Sequence, residues 1–92
     1  MAVVVWLPGA LRPLAGGASR VTLGSPLDVR AALAELFARH PGLRDRILDE
    51  RGEVRRHVNV FVGTENVRDL AGLATALADG AEVHVFPAVS GG

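Results

Sequence analysis

The sequence predicts an α+β fold in which a mixed sheet of four or five strands carries one main helix on one face. Short runs of alternating apolar and polar residues lie in both halves of the chain, and one segment between them repeats its apolar residues at helical spacing. Glycines and prolines separate these segments. The length of 92 residues suits a single domain. We place this domain at residues 1–87 and a flexible C-terminal tail at residues 88–92.

The beginning of the chain predicts an antiparallel hairpin. The β-branched and aromatic run at residues 3–7 forms a strand that ends at Pro8-Gly9. Residues 20–23 alternate between polar and apolar side chains and form the second strand. The connection at residues 8–18 holds two prolines and three glycines, so we expect a loop there.

The main helix follows the hairpin. Ser25 is the expected N-cap, Pro26 the first helical residue and Asp28 the acid of a capping box. Pro41-Gly42 ends the helix after His40. The helix buries one apolar face, formed by Val29, Leu33, Leu36 and Phe37.

The segment after the helix is short and then strongly charged. Residues 43–48 predict a further helical turn with Ile47 and Leu48 packed inward. Residues 49–56 contain Gly52 among many charged side chains, which predicts a solvated loop.

The second half of the chain completes the sheet. Residues 57–62 alternate cleanly and predict a strand, residues 67–70 a short edge strand, and residues 82–86 the last strand. Pro87 has no N–H for a sheet ladder and is expected to release the chain from the sheet. A hairpin followed by one crossing helix is the β-grasp arrangement, and the crossover rule places the first strand beside the last at the sheet centre.

Composition excludes several classes of function. Ten basic and ten acidic residues give a net charge of zero, which indicates no surface for nucleic acid or an anionic membrane. The apolar start lacks a basic region and is too short for a signal peptide, so we expect a cytoplasmic protein. All ten basic residues are arginine, so the chain has no lysine side chain that an activated C-terminus could attack in a neighbouring copy.

Residues that could perform catalysis or bind a metal form no recognisable set. Cysteine is absent, and His40, His57 and His84 lie far apart without paired acids. Asp49-Glu50 lacks a partner base, and Gly16-Gly17 lacks the lysine and helix of a phosphate loop. We therefore expect no catalytic residue, metal site or bound cofactor in this chain.

Several motifs together resemble the MoaD/ThiS family of ubiquitin-like sulfur carriers, and most closely its CysO branch, whose members carry sulfur for cysteine synthesis. The resemblance covers nearly the whole chain. The motifs are Leu11-Arg12-Pro13 with Gly16-Gly17, Val58-Asn59-Val60-Phe61-Val62, Val67-Arg68, Gly72-Leu73-Ala74-Thr75, Asp79-Gly80, and Pro87-Ala88-Val89 before Gly91-Gly92.

The resemblance implies a chemical role for the C-terminus. An E1-like (MoeB/ThiF-type) enzyme would use ATP to adenylate Gly92, a sulfur donor would convert it to a thiocarboxylate, and a biosynthetic enzyme would accept the sulfur. The tail would thread into the partner active site through Pro87, Ala88, Val89, Ser90 and Gly91. Glycine suits a narrow channel because it lacks a Cβ. The chain would then be a substrate of its partners and a monomer when free.

Strand parity predicts a docking surface. If the valines of the strands at 57–62 and 82–86 face the helix, then Trp6, Phe61, His84 and Phe86 lie on the opposite face. Exposed aromatic side chains close to the root of the tail are typical of a protein contact.

Three other functions stay open at this stage. The chain could be the small subunit of molybdopterin synthase, a ubiquitin-like protein modifier joined to lysines through Gly92, or a plain binding module with an idle tail. The pathway that receives the sulfur also stays open among cysteine, molybdopterin, thiamin and secondary metabolites.

Overall fold

A five-stranded sheet with one main helix forms the body of the computed structural model, which describes residues 2–87. The predicted tail, residues 88–92, lies outside the described residues. In chain order the strands and α-helices are β1 (Val4–Trp6), β2 (Arg20–Thr22), α1 (Val29–Arg39), α2 (Arg44–Ile47), β3 (Val58–Val62), β4 (Glu65–Asn66) and β5 (Glu82–Pro87). Four 3₁₀ helices connect them, at Gly9–Ala15, Pro41–Leu43, Val67–Asp69 and Gly72–Ala74.

The strand order is β2-β1-β5-β3-β4. Strand β1 pairs in parallel with β5, with Val5 opposite Val83, and the other pairings are antiparallel. This order confirms the predicted β-grasp topology, with the first and last strands adjacent at the centre. Helix α1 lies in the connection from β2 to β3, which passes from one side of the central pair to the other.

The core lies between the sheet and α1. The valines predicted to face the helix from residues 57–62 and 82–86 are buried, except that Val62 is half-buried. The first strand segment adds Val3, Val5 and Leu7 to the core. Helix α1 buries Val29, Ala32, Leu33 and Leu36 against them, whereas Phe37 is half-buried. Ile47, the last residue of α2, and Leu48, which follows it, are buried, as predicted. Strand alternation and helical spacing therefore identified the core faces correctly.

The predicted start of the main helix is wrong by three residues. Helix α1 begins at Val29, and Asp28 is its N-cap, with Oδ1 accepting a 2.8 Å hydrogen bond from the Ala31 N–H. Ser25 does not cap the helix and Pro26 is not its first residue. Backbone bonds to residues 75–77 hold the chain extended, since the Leu77 N–H donates to the Leu27 carbonyl and the Val29 N–H to the Thr75 carbonyl.

The predicted loop at residues 8–18 contains a 3₁₀ helix, Gly9–Ala15, despite its prolines. The Gly16 N–H donates to the Arg12 carbonyl, and Gly16 adopts the left-handed conformation with φ of 65°. Ala15 is buried in the core. Burial of this residue orders a segment that its composition marks only as irregular.

The predicted edge strand at residues 67–70 is wrong. The edge strand β4 is the preceding pair Glu65–Asn66, and Val67–Asp69 form a 3₁₀ helix. The Asn66 side chain accepts a 3.0 Å hydrogen bond from the Arg68 N–H, which turns the chain away from the sheet. Val67 is buried, so the turn also places an apolar side chain in the core.

Pro87 was expected outside the sheet, but it is the last residue of β5 and lies opposite Val58. The Val58 N–H donates to the Arg55 carbonyl, 3.0 Å away, rather than across the sheet to Pro87. Proline is tolerated at this position because the pair does not need a ladder hydrogen bond from its missing N–H.

No helix within residues 2–87 is both long and apolar enough to span a bilayer. The longest, α1, has 11 residues, and a spanning helix needs about 20.

The cap assignment gives a stability prediction. Asp28→Ala should lower the free energy of unfolding by about 1 kcal/mol, because the Ala31 N–H loses its acceptor at the helix start. Ser25→Ala is the matched control and should leave stability nearly unchanged. Urea unfolding followed by circular dichroism measures both. A larger loss for Ser25→Ala would contradict the assigned cap.

Candidate functional site

The four predicted docking residues come together on the sheet face that points away from α1. Strand β5 lies between β1 and β3, so His84 is opposite Trp6 on one side and Phe61 on the other. Phe86 follows two residues later on the same face of β5. We call Trp6, His84, Phe86 and Phe61 the aromatic row.

The rings of the aromatic row contact one another in sequence. Trp6 and His84 stack with centroids 6.0 Å apart, and His84 and Phe86 stack at 5.9 Å. Phe61 meets Phe86 edge-on at 5.6 Å. Such ring pairs contribute beyond the area that they bury, so the row is a preorganised surface across three strands.

The exposure of the row differs from the prediction. Phe86 is exposed, at 46%, whereas Trp6, Phe61 and His84 are half-buried. Trp6 and Phe61, which are predicted to be exposed, are thus only partly exposed, because neighbouring side chains cover part of their rings.

Two charged residues hold the Trp6 end of the row. The Trp6 Nε1–H donates a 2.7 Å hydrogen bond to Glu82 Oε1. The Arg20 guanidinium carbon lies 5.6 Å from the centroid of the Trp6 ring, in cation–π contact. Sequence reasoning did not single out Arg20. The available signal was cross-strand register, since β1 and β2 place Arg20 directly opposite Trp6.

A small groove lies beside Phe86, where the tail begins. It has a volume of about 120 Å³, and its lining includes Leu11, Phe86 and Pro87 together with the basic side chains Arg46 and His57. Phe86 belongs to both the groove and the aromatic row. The row therefore leads directly to the root of the tail, whereas the predicted tail residues Ala88, Val89, Ser90, Gly91 and Gly92 lie outside the described residues.

The hydrogen-bond partners of Asp49 indicate a structural role for this residue rather than a catalytic one. Its Oδ1 accepts hydrogen bonds from the Glu53 N–H at 3.1 Å and the Arg51 N–H at 2.9 Å. The bond from Glu53, followed by the bond and the charge of Arg51, lowers the pKa of the Asp49 carboxyl below its ordinary 3.8. Its neighbour Glu50 is exposed. Asp49 closes a charged turn.

No cluster of three His, Asp or Glu side chains within residues 2–87 could hold a metal ion. Of the three histidines, only His84 joins the aromatic row, where it stacks between two rings.

The sequence matches the family model described as the ThiS family over residues 5–92. The match includes the two terminal glycines.

Three known proteins illustrate the similarity. The chain is 40% identical to sulfur carrier protein CysO of Mycobacterium tuberculosis over 94 residues, covering 100% of both chains. It superposes on a chain of the Amycolatopsis orientalis BexX/CysO complex with a TM-score of 0.89 and 34% identity, covering 99% of this chain and 100% of that one. It also matches small archaeal modifier protein 1 of Haloferax volcanii with a TM-score of 0.79 and 31% identity, covering 96% of this chain and 98% of that one.

The turn at Asp49 gives a pH prediction. A carboxyl whose pKa is lowered on folding stabilises the fold above its unfolded pKa, and this contribution is lost as the pH falls through the folded pKa. Asp49→Asn should therefore be less stable than the parent chain at neutral pH, and the difference should narrow in acid below pH 3.8. Urea midpoints over this range measure it. Glu50→Gln, in the same turn, should show no such trend, and a constant difference for Asp49→Asn would contradict the assignment.

Proposed function

Because the chain belongs to the ThiS family, we propose that it is a sulfur carrier whose reactive group is the C-terminal carboxylate of Gly92. The observation that carries this proposal is the family match, which extends to residue 92 and so includes Gly91 and Gly92. The full-length similarity to CysO supports the same role.

The proposed chemistry has two steps, both in a partner's active site. The Gly92 carboxylate attacks the α-phosphate of ATP on an E1-like enzyme, which forms an acyl-adenylate and releases pyrophosphate. A sulfur nucleophile such as hydrosulfide then attacks the Gly92 carbonyl carbon and expels AMP. The product is a thiocarboxylate, which donates its sulfur to an acceptor enzyme of cysteine, cofactor or secondary-metabolite synthesis.

In this proposal the carrier supplies geometry and its partners supply catalysis. The tail from Pro87 to Gly91 threads into the partner active site, and the absence of a Cβ at the last two positions keeps the reacting carbonyl accessible. The chain contributes no catalytic residue and binds no metal or cofactor of its own; ATP belongs to the activating enzyme. Pro87 fits this role because it is the last residue of the central strand β5, so the sheet fixes where the tail begins.

We assign partner docking to the aromatic row. It is a continuous aromatic surface, its most exposed ring is Phe86, and it leads to the groove that Pro87 lines. A partner that covers Phe86 would therefore also meet the root of the tail. The relative that is solved in complex with BexX supports docking of a carrier with this shape on a second protein.

A second candidate function is protein modification, which the similarity to small archaeal modifier proteins favours. In that case Gly92 would form isopeptide bonds with lysines of other proteins. Because this chain has no lysine, it would not form lysine-linked chains with its own copies. Conjugates that depend on Gly92 in a cell extract would support protein modification. If no such conjugates form, sulfur transfer is the remaining candidate function.

The sulfur carrier proposal predicts a defined mass change. Incubation with an E1-like partner, ATP and sulfide should raise the protein mass by about 16 Da, the difference between oxygen and sulfur at the C-terminus. A control chain that is extended by one alanine after Gly92 should keep its mass, because its carboxylate is displaced from the adenylation site. If the parent chain forms neither adenylate nor thiocarboxylate with the E1-like partner, the proposal is wrong.

The docking assignment predicts a loss of partner recognition. Phe86→Asp should raise the KM for the carrier in adenylation at least about tenfold, because it places a charge in a desolvated contact. Leu27→Asp is the matched control, since Leu27 is an apolar residue, 82% exposed, that lies outside the row. Pyrophosphate release measures the rate, and circular dichroism checks folding. An unchanged KM in a folded Phe86→Asp variant would contradict docking through the row.

A further inference from the structure

A second groove lies on the helix side of the molecule, between α1, α2 and the 3₁₀ helix Gly72–Ala74. Its volume is about 290 Å³. The residues that line it are Arg30, Leu33, Ala34, Phe37, Arg44, Leu48 and Leu73. None of them belongs to the aromatic row, which occupies the opposite face of the sheet.

The groove has an apolar floor. Leu33, Leu48 and Leu73 are buried beneath it, and Ala34 is exposed on its wall. The four lining residues of α1 are spaced i, i+3, i+4 and i+7, so they form one stripe along the helix. This arrangement explains why Phe37, which was predicted in the core, is half-buried: one side packs on the core and the other faces the groove.

Two arginines give the groove its charge. Arg30 and Arg44 line it, and no acidic residue does. Arg44 lies 3.3 Å from Asp45, but the two side chains are 45% and 87% exposed, and pairs in contact with solvent exchange partners at little cost. Guanidinium groups bind carboxylates through paired hydrogen bonds. An apolar floor beside two available guanidinium groups is complementary to an apolar side chain that is flanked by carboxylates.

We propose that this groove binds an acidic segment of a partner protein, which inserts one bulky apolar side chain between Arg30 and Arg44. Because the groove and the aromatic row lie on opposite sides of the molecule, both can be occupied at once. Such a partner could hold the carrier while its sheet face and tail are engaged by an enzyme.

A peptide titration of the full chain tests the proposal. The probe is a synthetic peptide, acetyl-Glu-Asp-Leu-Phe-Glu-Asp-amide, and its binding is followed by backbone amide shifts in NMR. We expect the shifts to map to α1, α2 and residues 72–74, and the affinity to fall with added salt. Two control peptides, one with Lys and Arg in place of the acids and one with Ala in place of Leu-Phe, should bind at least about tenfold more weakly. Equal binding of all three peptides, or shifts that map to the aromatic row, would overturn the proposal.

Variants of the protein distinguish peptide binding in the groove from general electrostatic attraction of the peptide. Arg30→Glu with Arg44→Glu should weaken probe binding at least about tenfold, whereas Arg51→Glu with Arg56→Glu, which changes the net charge equally outside the groove, should not. Ala34→Phe should also block the probe, because it fills the groove from an exposed helical position without changing charge. Equal loss in the two charge-reversed pairs, or full binding to a folded Ala34→Phe variant, would count against the groove.

The same NMR experiment distinguishes other occupants of the groove. If the chemical shifts of the groove amides change when the protein concentration is raised without peptide, the groove binds a second copy. If they change when residues 88–92 are deleted, the groove binds the tail. Adenylation by the E1-like enzyme should persist in the Arg30→Glu, Arg44→Glu variant. Loss of adenylation in parallel with probe binding would assign the groove to that enzyme and overturn simultaneous occupancy.

Discussion

The parallel pairing of β1 with β5 at the centre of the sheet is the constraint on which the functional surfaces depend. It places Val5 opposite Val83 on the helix side and Trp6 opposite His84 on the other side. Because side chains alternate along a strand, one register fixes both faces. A slip of one residue would expose the buried valines and bury the aromatic row.

The same pairing determines where the tail begins. Strand β5 has neighbours on both sides, so its last described residue, Pro87, is held at the end of a central strand. Phe86 lies beside it and is the most exposed member of the aromatic row. The surface to which we assign docking is therefore adjacent in the chain to the start of the tail, which suits the proposed entry of the C-terminus into a partner's active site.

In the proposed function this chain provides recognition and its partners provide catalysis. Three of its acidic side chains have structural tasks: Asp28 caps α1, Asp49 closes a turn, and Glu82 accepts a hydrogen bond from Trp6. The proposed groove beside Phe37 adds a second recognition surface on the other side, so one small domain has room for two partners.

The sequence by itself determined the features that depend on local periodicity. Alternation in residues 57–62 and 82–86 identified the buried valines, helical spacing identified the inner face of α1, and Pro41-Gly42 marked its end. The sequence also determined the family, because each motif that carries the resemblance is a short run of consecutive residues.

Only the tertiary structure decided features that depend on contacts between distant segments. Helix α1 begins at Val29, after its N-cap Asp28, because residues 75–77 hold the preceding segment extended. The edge strand is Glu65–Asn66 and not residues 67–70, because Asn66 turns the chain and Val67 enters the core. Arg20 reaches Trp6 through the register of β1 and β2. In each case a local pattern allowed several outcomes, and packing against residues far away in the sequence selected one of them.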